Sequence, residues 1–92
     1  MATTRTWFVY IIECDDGSLY TGITVDLAAR FEAHRAGRGA RYMRLHPPRR
    51  MLAAEACGDR AAASRAEYRI KRLAPTAKRA WAAARALPEA NP

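Results

Sequence analysis

Two tyrosines in the segment FVYIIECDDGSLYTGIT, residues 8–24, are the first side chains of the chain that could do chemistry. Tyr10 and Tyr20 lie in two short runs of aromatic and β-branched residues, which predict neighbouring strands. Gly22 would leave open space beside a phenol ring on that strand pair. A free phenol has a pKa near 10 and is ionised in only about one molecule in a thousand at pH 7. It can act as a base only where nearby positive charge lowers that pKa.

A cation and an imidazole follow within TVDLAARFEAHRAG, residues 24–37, which predicts a helix ending at Gly37. Arg30 and His34 are spaced i, i+4, so they share one helical face. Leu27 and Phe31 have the same spacing one residue further round and are expected to face the core. Arg30 and His34 are therefore predicted at the edge of the buried stripe, held firmly yet within reach of solvent.

A single carboxylate, Glu67, stands among the four basic residues of the stretch 65–72, within a further predicted helix of about residues 59–74. As a structural residue it pairs with Lys71 at i, i+4, a contact worth a few tenths of a kcal/mol. As a functional residue it is an oxygen ligand for a divalent cation, since Mg²⁺ is usually held by one or two carboxylates with water and phosphate. The spacing does not choose between these readings.

Charge indicates a polyanionic partner. Sixteen Lys and Arg against nine Asp and Glu give a net charge of +7, and six arginines fall within HRAGRGARYMRLHPPRR, residues 34–50. Such a face attracts nucleic acid in a salt-dependent way. The segment is predicted to be a loop over residues 38–48, suited to backbone contacts rather than base reading, with one aromatic ring able to stack on an unpaired base. The candidate nucleic-acid-binding residues are Arg35, Arg38, Arg41, Tyr42 and Arg44.

The remaining segments complete an α+β pattern. RRMLAAEAC, residues 49–57, predicts a third strand, although its alanines weaken the signal. The helix that contains Glu67 is expected to bury Ala66, Ile70 and Leu73, and Pro75 begins a last helix that runs to about residue 87. The predicted fold is a small antiparallel three-stranded sheet flanked by about three helices, in the order β-β-α-β-α-α.

The turn between the first two strands decides where the tyrosines point. A two-residue turn at Asp16-Gly17 would place Tyr10 and Tyr20 on opposite faces of the strand pair. A three-residue turn with Gly17 in the left-handed conformation would place Tyr10 opposite Gly22, with both phenols on one face. Asp-Asp-Gly suits a type I turn followed by a left-handed glycine, so the second register is the one we expect. In that register we expect both phenols to be open to solvent near Arg30.

Length and composition limit the class of protein. Ninety-two residues make one domain, residues 1–92 with a core of about 7–87, and its working surface is expected to be open rather than a deep cavity. No apolar run is long enough for a membrane span, and no signal peptide is evident. Cys14 and Cys57 have no metal-site spacing and predict free thiols. A cytoplasmic protein is the expectation.

The pattern as a whole resembles the GIY-YIG nuclease family, in particular its short stand-alone YhbQ-like bacterial branch. FVY at residues 8–10, YTG at residues 20–22 and DLAARFEAHRAGRGARYMR at residues 26–44 are the segments that resemble it. Phe8 stands where the family has its first glycine, and Thr21 where it has isoleucine. Many nucleases of the family also use a late asparagine, and Asn91 in a proline-flanked tail does not match that position.

The resemblance implies an activity and a role for each residue. Tyr10, Tyr20, Arg30, His34 and Glu67 fall on the family's catalytic positions. By the resemblance, Tyr20 acts as the base, Tyr10 orients Tyr20 or the water, and Arg30 pairs with the scissile phosphate. His34 relays a proton or binds a phosphate, and Glu67 holds one Mg²⁺ or Mn²⁺. The implied function is a metal-dependent, structure-preferring DNA endonuclease of repair or recombination. The implied location is the cytoplasm of a bacterial cell, with nucleoid association open to it.

Two other readings stay open at this point. The same fold could bind nucleic acid with little or no cleavage, since the short members lack added DNA-binding domains, or it could serve RNA or the ribosome. The implied partner is branched, flapped or nicked DNA, with a partner protein also open. The sequence does not address the oligomeric state.

Overall fold

The computed structural model describes residues 5–85, and its elements follow one another in the order β1 (Trp7–Cys14), β2 (Leu19–Thr24), α1 (Leu27–Arg35), α2 (Arg41–Leu45), β3 (Pro48–Gly58), α3 (Arg60–Lys71) and α4 (Pro75–Ala84). The predicted α+β fold with a three-stranded antiparallel sheet is confirmed, in the strand order β2-β1-β3. Asn91, the prolines of the tail and the predicted helix end at residue 87 lie outside the described residues. None of the described helices is long and apolar enough to cross a membrane.

The central strand β1 is buried on both faces, and its side chains alternate between two cores. Val9 and Ile11 pack with Ala66 and Ile70 of α3. On the other face, Tyr10, Ile12 and Cys14 join Met43 of α2, with Leu27 and Phe31 of α1 packed against them, as predicted. Tyr10 therefore stands in the core between the sheet and the first two helices.

The turn after β1 is the three-residue form that we expected. Gly17 has φ +87°, its N–H donates to Cys14 O at 2.9 Å, and the Cys14 N–H donates to Ser18 O at 2.9 Å. The Asp16 carboxylate stabilises the turn because it accepts from the Ser18 backbone N–H at 2.9 Å and from the Ser18 hydroxyl at 2.7 Å. These Ser18 hydrogen bonds hold the pKa of Asp16 below its ordinary value.

Two predictions about the helical segments were wrong. The segment 38–48 contains the short helix α2 rather than loop throughout, because burying Met43 against β1 compensates for the cost of ordering it. Leu73 lies beyond the end of α3 and is 37% exposed, whereas Ala66 and Ile70 are buried as expected. The two cysteines are free thiols, as predicted, with Cys14 buried and Cys57 half-buried.

Glu13 ties the last helix to the sheet. Its carboxylate is almost fully buried and accepts from Arg50 Nε and from Arg79 Nη1, each at 3.1 Å. Arg79 also donates to Gly17 O at 2.9 Å, so α4 is anchored to the β1–β2 turn. These hydrogen bonds, the Arg50 bond foremost, lower the pKa of Glu13.

Candidate active site

Tyr10 and Gly22 face each other across β1 and β2, and Ile12 faces Tyr20 in the same register. Both phenols therefore project from one face of the sheet, as the sequence predicted. A Cβ at position 22 would lie 2.5 Å from Tyr10 Oη and 2.6 Å from Tyr10 Cζ. The ring of Tyr10 thus occupies the space that a side chain at position 22 would need.

Three aromatic rings meet on this face. The ring centroids of Tyr10 and Tyr20 are 6.4 Å apart, those of Tyr10 and His34 are 6.3 Å apart, and those of Tyr20 and His34 are 5.4 Å apart. These distances lie in the range of favourable aromatic contacts. Tyr10, Tyr20 and His34 form one cluster, which we call the aromatic cluster.

His34 is more deeply buried than its place at the edge of the helical stripe predicted, with 1% of its surface exposed. Its Nε2 lies 3.0 Å from Tyr10 Oη, and its Nδ1 accepts from the Ala40 backbone N–H at 3.3 Å. Both ring nitrogens are therefore occupied by protein groups. Burial, and then the charge of Arg30, lower the pKa of His34 from its ordinary value of 6.5.

Tyr10 is also closed off from solvent, and the expectation that both phenols would be open was wrong for this residue. It is 1% exposed because the contacts with α1 and α2 cover its ring. Burial raises the pKa of Tyr10 to about 12, against a smaller lowering by a hydrogen bond from Arg30. Tyr20 is only partly buried, so it is the more accessible of the two phenols.

Arg30 contributes positive charge to the cluster. Its positive charge lowers the pKa of Tyr10, against the larger effect of burial, and also lowers the pKa of His34. Its Nε is buried and has no hydrogen-bond partner among residues 5–85. A buried donor left unpaired costs about 1–3 kcal/mol, so this atom is a feature that calls for an acceptor.

Glu67 lies on α3, whose buried face packs against the side of the sheet opposite to Tyr10. Its negative charge still acts on Tyr10, where it contributes to the raised pKa. The side chain is 23% exposed, and its Oε2 lies 3.1 Å from Lys71 Nζ, which is the structural pairing that the sequence allowed. The described residues contain no group of three His, Cys, Asp or Glu side chains able to hold a metal.

The donor set nevertheless fits one hard cation. Glu67 offers carboxylate oxygens with part of the side chain open to solvent. Mg²⁺ is commonly held by one or two carboxylates, with water and substrate phosphate in the other positions. A single protein ligand at Glu67 is consistent with that pattern.

The predicted nucleic-acid-binding residues lie after the cluster along the chain and differ in their partners. Arg35 pairs with Glu32 at 3.2 Å, whereas Arg38 is exposed and forms no ion pair with another described residue. Arg41 and Arg44 line an open depression of about 420 Å³ together with Leu45. Like Arg38, Arg41 and Arg44 are exposed and form no ion pair with another described residue.

Tyr42 extends the aromatic cluster outward. Its ring stacks on Tyr20 at 5.9 Å between centroids and on His46 at 4.0 Å, and it is 38% exposed. His46 Nδ1 lies 2.7 Å from Asp16 Oδ2, so the stack is anchored to the β1–β2 turn. The sequence reasoning missed His46 and Asp16; the i, i+4 spacing of Tyr42 and His46 was the available signal.

Comparison with known proteins agrees with this arrangement. Residues 6–79 match the family model of the GIY-YIG catalytic domain. A UPF0213 protein of Xanthomonas axonopodis pv. citri is 51% identical over 81 residues, covering 88% of this chain and 79% of that protein. The UPF0213 protein YhbQ of Escherichia coli is 43% identical over 67 residues, covering 73% of this chain and 67% of that protein.

Solved structures agree as well. The solution NMR structure of a UPF0213 protein from Bacillus halodurans is 38% identical, with a TM-score of 0.57 and coverage of 91% of this chain and 89% of that one. A solution NMR structure of a protein from E. faecalis is 32% identical, with a TM-score of 0.58 and coverage of 88% and 86%. The chain therefore belongs to the GIY-YIG catalytic-domain family, and its relatives within that family include the UPF0213 proteins such as YhbQ.

Proposed function

We propose that this protein is a metal-dependent DNA endonuclease that acts on branched, flapped or nicked DNA in repair or recombination in the bacterial cytoplasm. Membership of a nuclease family supports phosphodiester cleavage in general. The finer statement, including the metal, the DNA structure and the role of each residue, is our proposal. In this proposal the chain acts as a single GIY-YIG domain.

The observation that supports it best is the unpartnered Nε of Arg30, whose guanidinium acts on Tyr10 of the aromatic cluster. A guanidinium binds phosphate through parallel hydrogen bonds, and its planar fork suits this better than the point charge of lysine. A scissile phosphate next to Arg30 would give the buried donor an acceptor. It would also bring the phosphorus within reach of Tyr20, the more exposed phenol of the aromatic cluster.

In this proposal Tyr20 takes a proton from the attacking water while Arg30 stabilises the negative charge that builds up on the phosphoryl oxygens. Tyr10 stays neutral, consistent with its pKa of about 12, and orients the water or Tyr20 through its hydroxyl. His34 holds Tyr10 through the 3.0 Å contact and does not relay protons to solvent, because it is buried.

Glu67 is the residue that would hold Mg²⁺ or Mn²⁺ in this proposal. When bound there, the ion would supply positive charge to a phosphate oxygen and to the leaving 3′-oxygen. Lys71 would then have to share the Glu67 carboxylate or turn to a phosphate of the substrate, since the two are paired at 3.1 Å.

The surface around α2 supports a preference for DNA structure over base sequence. Arg38, Arg41 and Arg44 are exposed, and they suit contacts to the sugar-phosphate backbone. Tyr42 already stacks on His46 and Tyr20, so a flipped or frayed base would add to this stack at its exposed part rather than meet an isolated ring.

A second candidate function is nucleic-acid binding without cleavage. The pairing of Glu67 with Lys71 and the absence of a three-residue metal cluster among the described residues favour it. In that case the aromatic cluster and the basic surface would bind a strand, and no product would form.

One assay distinguishes the two. The protein is incubated with end-labelled flap, bubble, nicked and single-stranded DNA, and with matched RNA, in Mg²⁺, in Mn²⁺ and in chelator. Tyr20→Phe and Glu67→Gln are run beside wild type, with Glu32→Gln as a control that removes an exposed carboxylate elsewhere on the chain. Metal-dependent cutting by wild type and Glu32→Gln, lost in the two site variants, supports the endonuclease.

Salt-sensitive binding without product in any metal would instead support the binding module. Cleavage by Tyr20→Phe at the wild-type rate would reject the assigned base. Faster cutting of RNA than of every DNA substrate would reject DNA as the substrate class.

A further inference from the structure

Both ring nitrogens of His34 have protein partners, and one of these partners can only donate. The Ala40 backbone N–H lies 3.3 Å from Nδ1, and Tyr10 Oη lies 3.0 Å from Nε2. A backbone amide offers a proton and no lone pair, so Nδ1 must be the unprotonated nitrogen of the ring. A neutral imidazole then carries its proton on Nε2.

We propose that Gly39 and Ala40 are positioning residues that lock His34 in the Nε2–H tautomer, so that His34 donates a hydrogen bond to Tyr10 Oη. The direction of this hydrogen bond is set by the Ala40 backbone amide and not by Tyr10, because a hydroxyl accepts or donates equally well. The turn between α1 and α2 therefore determines the direction of a hydrogen bond inside the aromatic cluster.

Gly39 is the residue that lets this turn approach the imidazole. A Cβ at position 39 would overlap His34 Nδ1 and would lie 2.6 Å from Cε1. The nearby Gly37 differs, since it has φ +79° and a Cβ there would meet no atom within 4 Å. Gly37 is required for its left-handed backbone at the end of α1, whereas Gly39 is required for close contact with His34.

The lock has a consequence for Tyr10. Because His34 donates to Oη, the hydroxyl proton of Tyr10 cannot point at His34, and it cannot point at Arg30, which is also a donor only. That proton is left for an acceptor such as Tyr20, the attacking water or a phosphate oxygen. Tyr10 is therefore a hydrogen-bond donor and not a base; this last step rests on the proposed function.

The surroundings of His34 agree with a neutral ring. The titratable and charged groups that act on it are Tyr10 from β1, Tyr20 from β2 and Arg30 from its own helix, and none of them is a carboxylate. Protonation would place a proton on Nδ1 against the Ala40 N–H, so the locked ring resists the second proton on geometric grounds as well.

Nuclear magnetic resonance reads the tautomer directly. In protein labelled with nitrogen-15, a long-range proton–nitrogen correlation distinguishes the protonated from the unprotonated ring nitrogen of each histidine. The chain has only two, and a His46→Gln variant assigns them. We expect the Nε2–H pattern for His34 at pH 7 and a nitrogen–nitrogen coupling across the hydrogen bond to the Ala40 amide. An Nδ1–H pattern, or a charged ring at pH 7, would overturn the lock.

Variants then test which group sets the tautomer. Tyr10→Phe removes the Oη partner and should keep the Nε2–H pattern if the Ala40 amide is responsible; a switch or a mixture would show that Tyr10 sets it instead. Gly39→Ala should displace the ring, abolish the coupling to the Ala40 amide and lower cleavage about a hundredfold, as misplacement of a site by about 1 Å does.

Gly37→Ala is the matched control, because a Cβ at position 37 meets no atom within 4 Å, so its strained backbone lowers stability without crowding the His34 ring. It should retain the tautomer and the coupling, and loss of both in this variant would mean that the signal reports folding alone. The spectroscopic readout needs no substrate, so failure of the endonuclease proposal would appear as missing cleavage with the lock intact. Failure of the lock would appear in the spectra whether or not DNA is cut.

Discussion

The ring of Tyr10 lies across Gly22, its partner in the neighbouring strand, and fills the volume in which a side chain at position 22 would stand. This contact explains why a glycine is required on a strand that otherwise consists of β-branched, aromatic and aliphatic residues. Gly22 also borders Tyr20, since a Cβ there would lie 3.1 Å from Tyr20 Cε2. One missing side chain thus allows two phenols and an imidazole to share a face of the sheet.

The first prediction concerns this contact. Gly22→Ala should displace the Tyr10 ring and lower cleavage about a hundredfold, because the phenol and its bond to His34 shift together. Overpacking should also lower the free energy of unfolding by about 1–3 kcal/mol. Single-turnover cleavage and urea unfolding measure the two effects.

Gly58→Ala is the control for that variant. Gly58 has φ +85° and no atom near its missing Cβ, so the variant should be destabilised by backbone strain while cleavage persists in the folded protein. Equal losses of cleavage in the two variants at equal folded fraction would contradict the role assigned to Gly22.

The second prediction follows from the raised pKa of Tyr10. The unfolded chain ionises this phenol near pH 10, whereas the folded protein does so only near pH 12. Above pH 10 the unfolded state therefore holds fewer protons, and stability should fall by about 2–3 kcal/mol between pH 10 and 12. Urea unfolding across this pH range should show that the free energy of unfolding falls more steeply with pH for wild type than for Tyr10→Phe. Identical slopes for the two proteins would contradict the raised pKa of Tyr10 in the folded protein.

The third prediction concerns Glu13, which joins β1 to Arg50 and Arg79. Glu13→Gln should lower the free energy of unfolding by about 1–2 kcal/mol at pH 7, a modest value because both arginines are half-exposed. The folded pKa of Glu13 is depressed, so this contribution is present above its ordinary value of 4.5 and is lost as pH falls further.

Urea unfolding of wild type and Glu13→Gln at pH 7 and below pH 4 tests that sign. The difference between the two proteins should shrink on acidification. Glu32→Gln removes an exposed ion pair and should change stability by less than about 1 kcal/mol. A Glu13 variant no less stable than the Glu32 variant would mean that the buried network does not hold α4 in place.

The fourth prediction concerns the arginines of α2. Replacing Arg41 and Arg44 together by alanine should reduce the slope of log affinity against log salt by about 1.8 on duplex DNA if each contacts one phosphate. Fluorescence anisotropy in the Tyr20→Phe background measures binding without cleavage.

The control for charge is Arg60→Ala with Arg85→Ala. Arg60 lies over the ring of Trp7 and Arg85 pairs with Glu55, so both are already engaged by protein groups. This double variant loses the same two charges and should leave the slope nearly unchanged. An equal fall in slope for both double variants would show that net charge, and not the α2 surface, determines binding.

Local rules predicted the parts of the site that depend on neighbours in the chain. The Asp15-Asp16-Gly17 turn specified the register, and with it the pairing of Tyr10 with Gly22, because a left-handed glycine after a type I turn admits one alignment of the strands. The i, i+4 spacing predicted that Arg30 and His34 share one helical face, because residues four apart are neighbours on the surface of a helix.

Burial was predicted less well. Tyr10 was expected to be open to solvent and is covered by α1 and α2, a helix pair whose second member was taken for loop. The stack of Tyr42 between Tyr20 and His46 also depends on that helix. A five-residue helix is too short to be stable by propensity alone and forms here because Met43 packs into the core, which no local pattern records.

The order of residue types along this chain determined which side chains could take part in chemistry, on which face of a strand or helix each stands, and that the surface is basic. Only the tertiary structure decided that Tyr10 and His34 are shut away from water, that the Ala40 amide meets His34 Nδ1, and that the charge of Glu67 reaches Tyr10 from the other side of the sheet. Periodicity and turn geometry are set by sterics within a few bonds, whereas exposure, tautomer and electrostatic coupling arise from packing between segments that lie far apart in the chain.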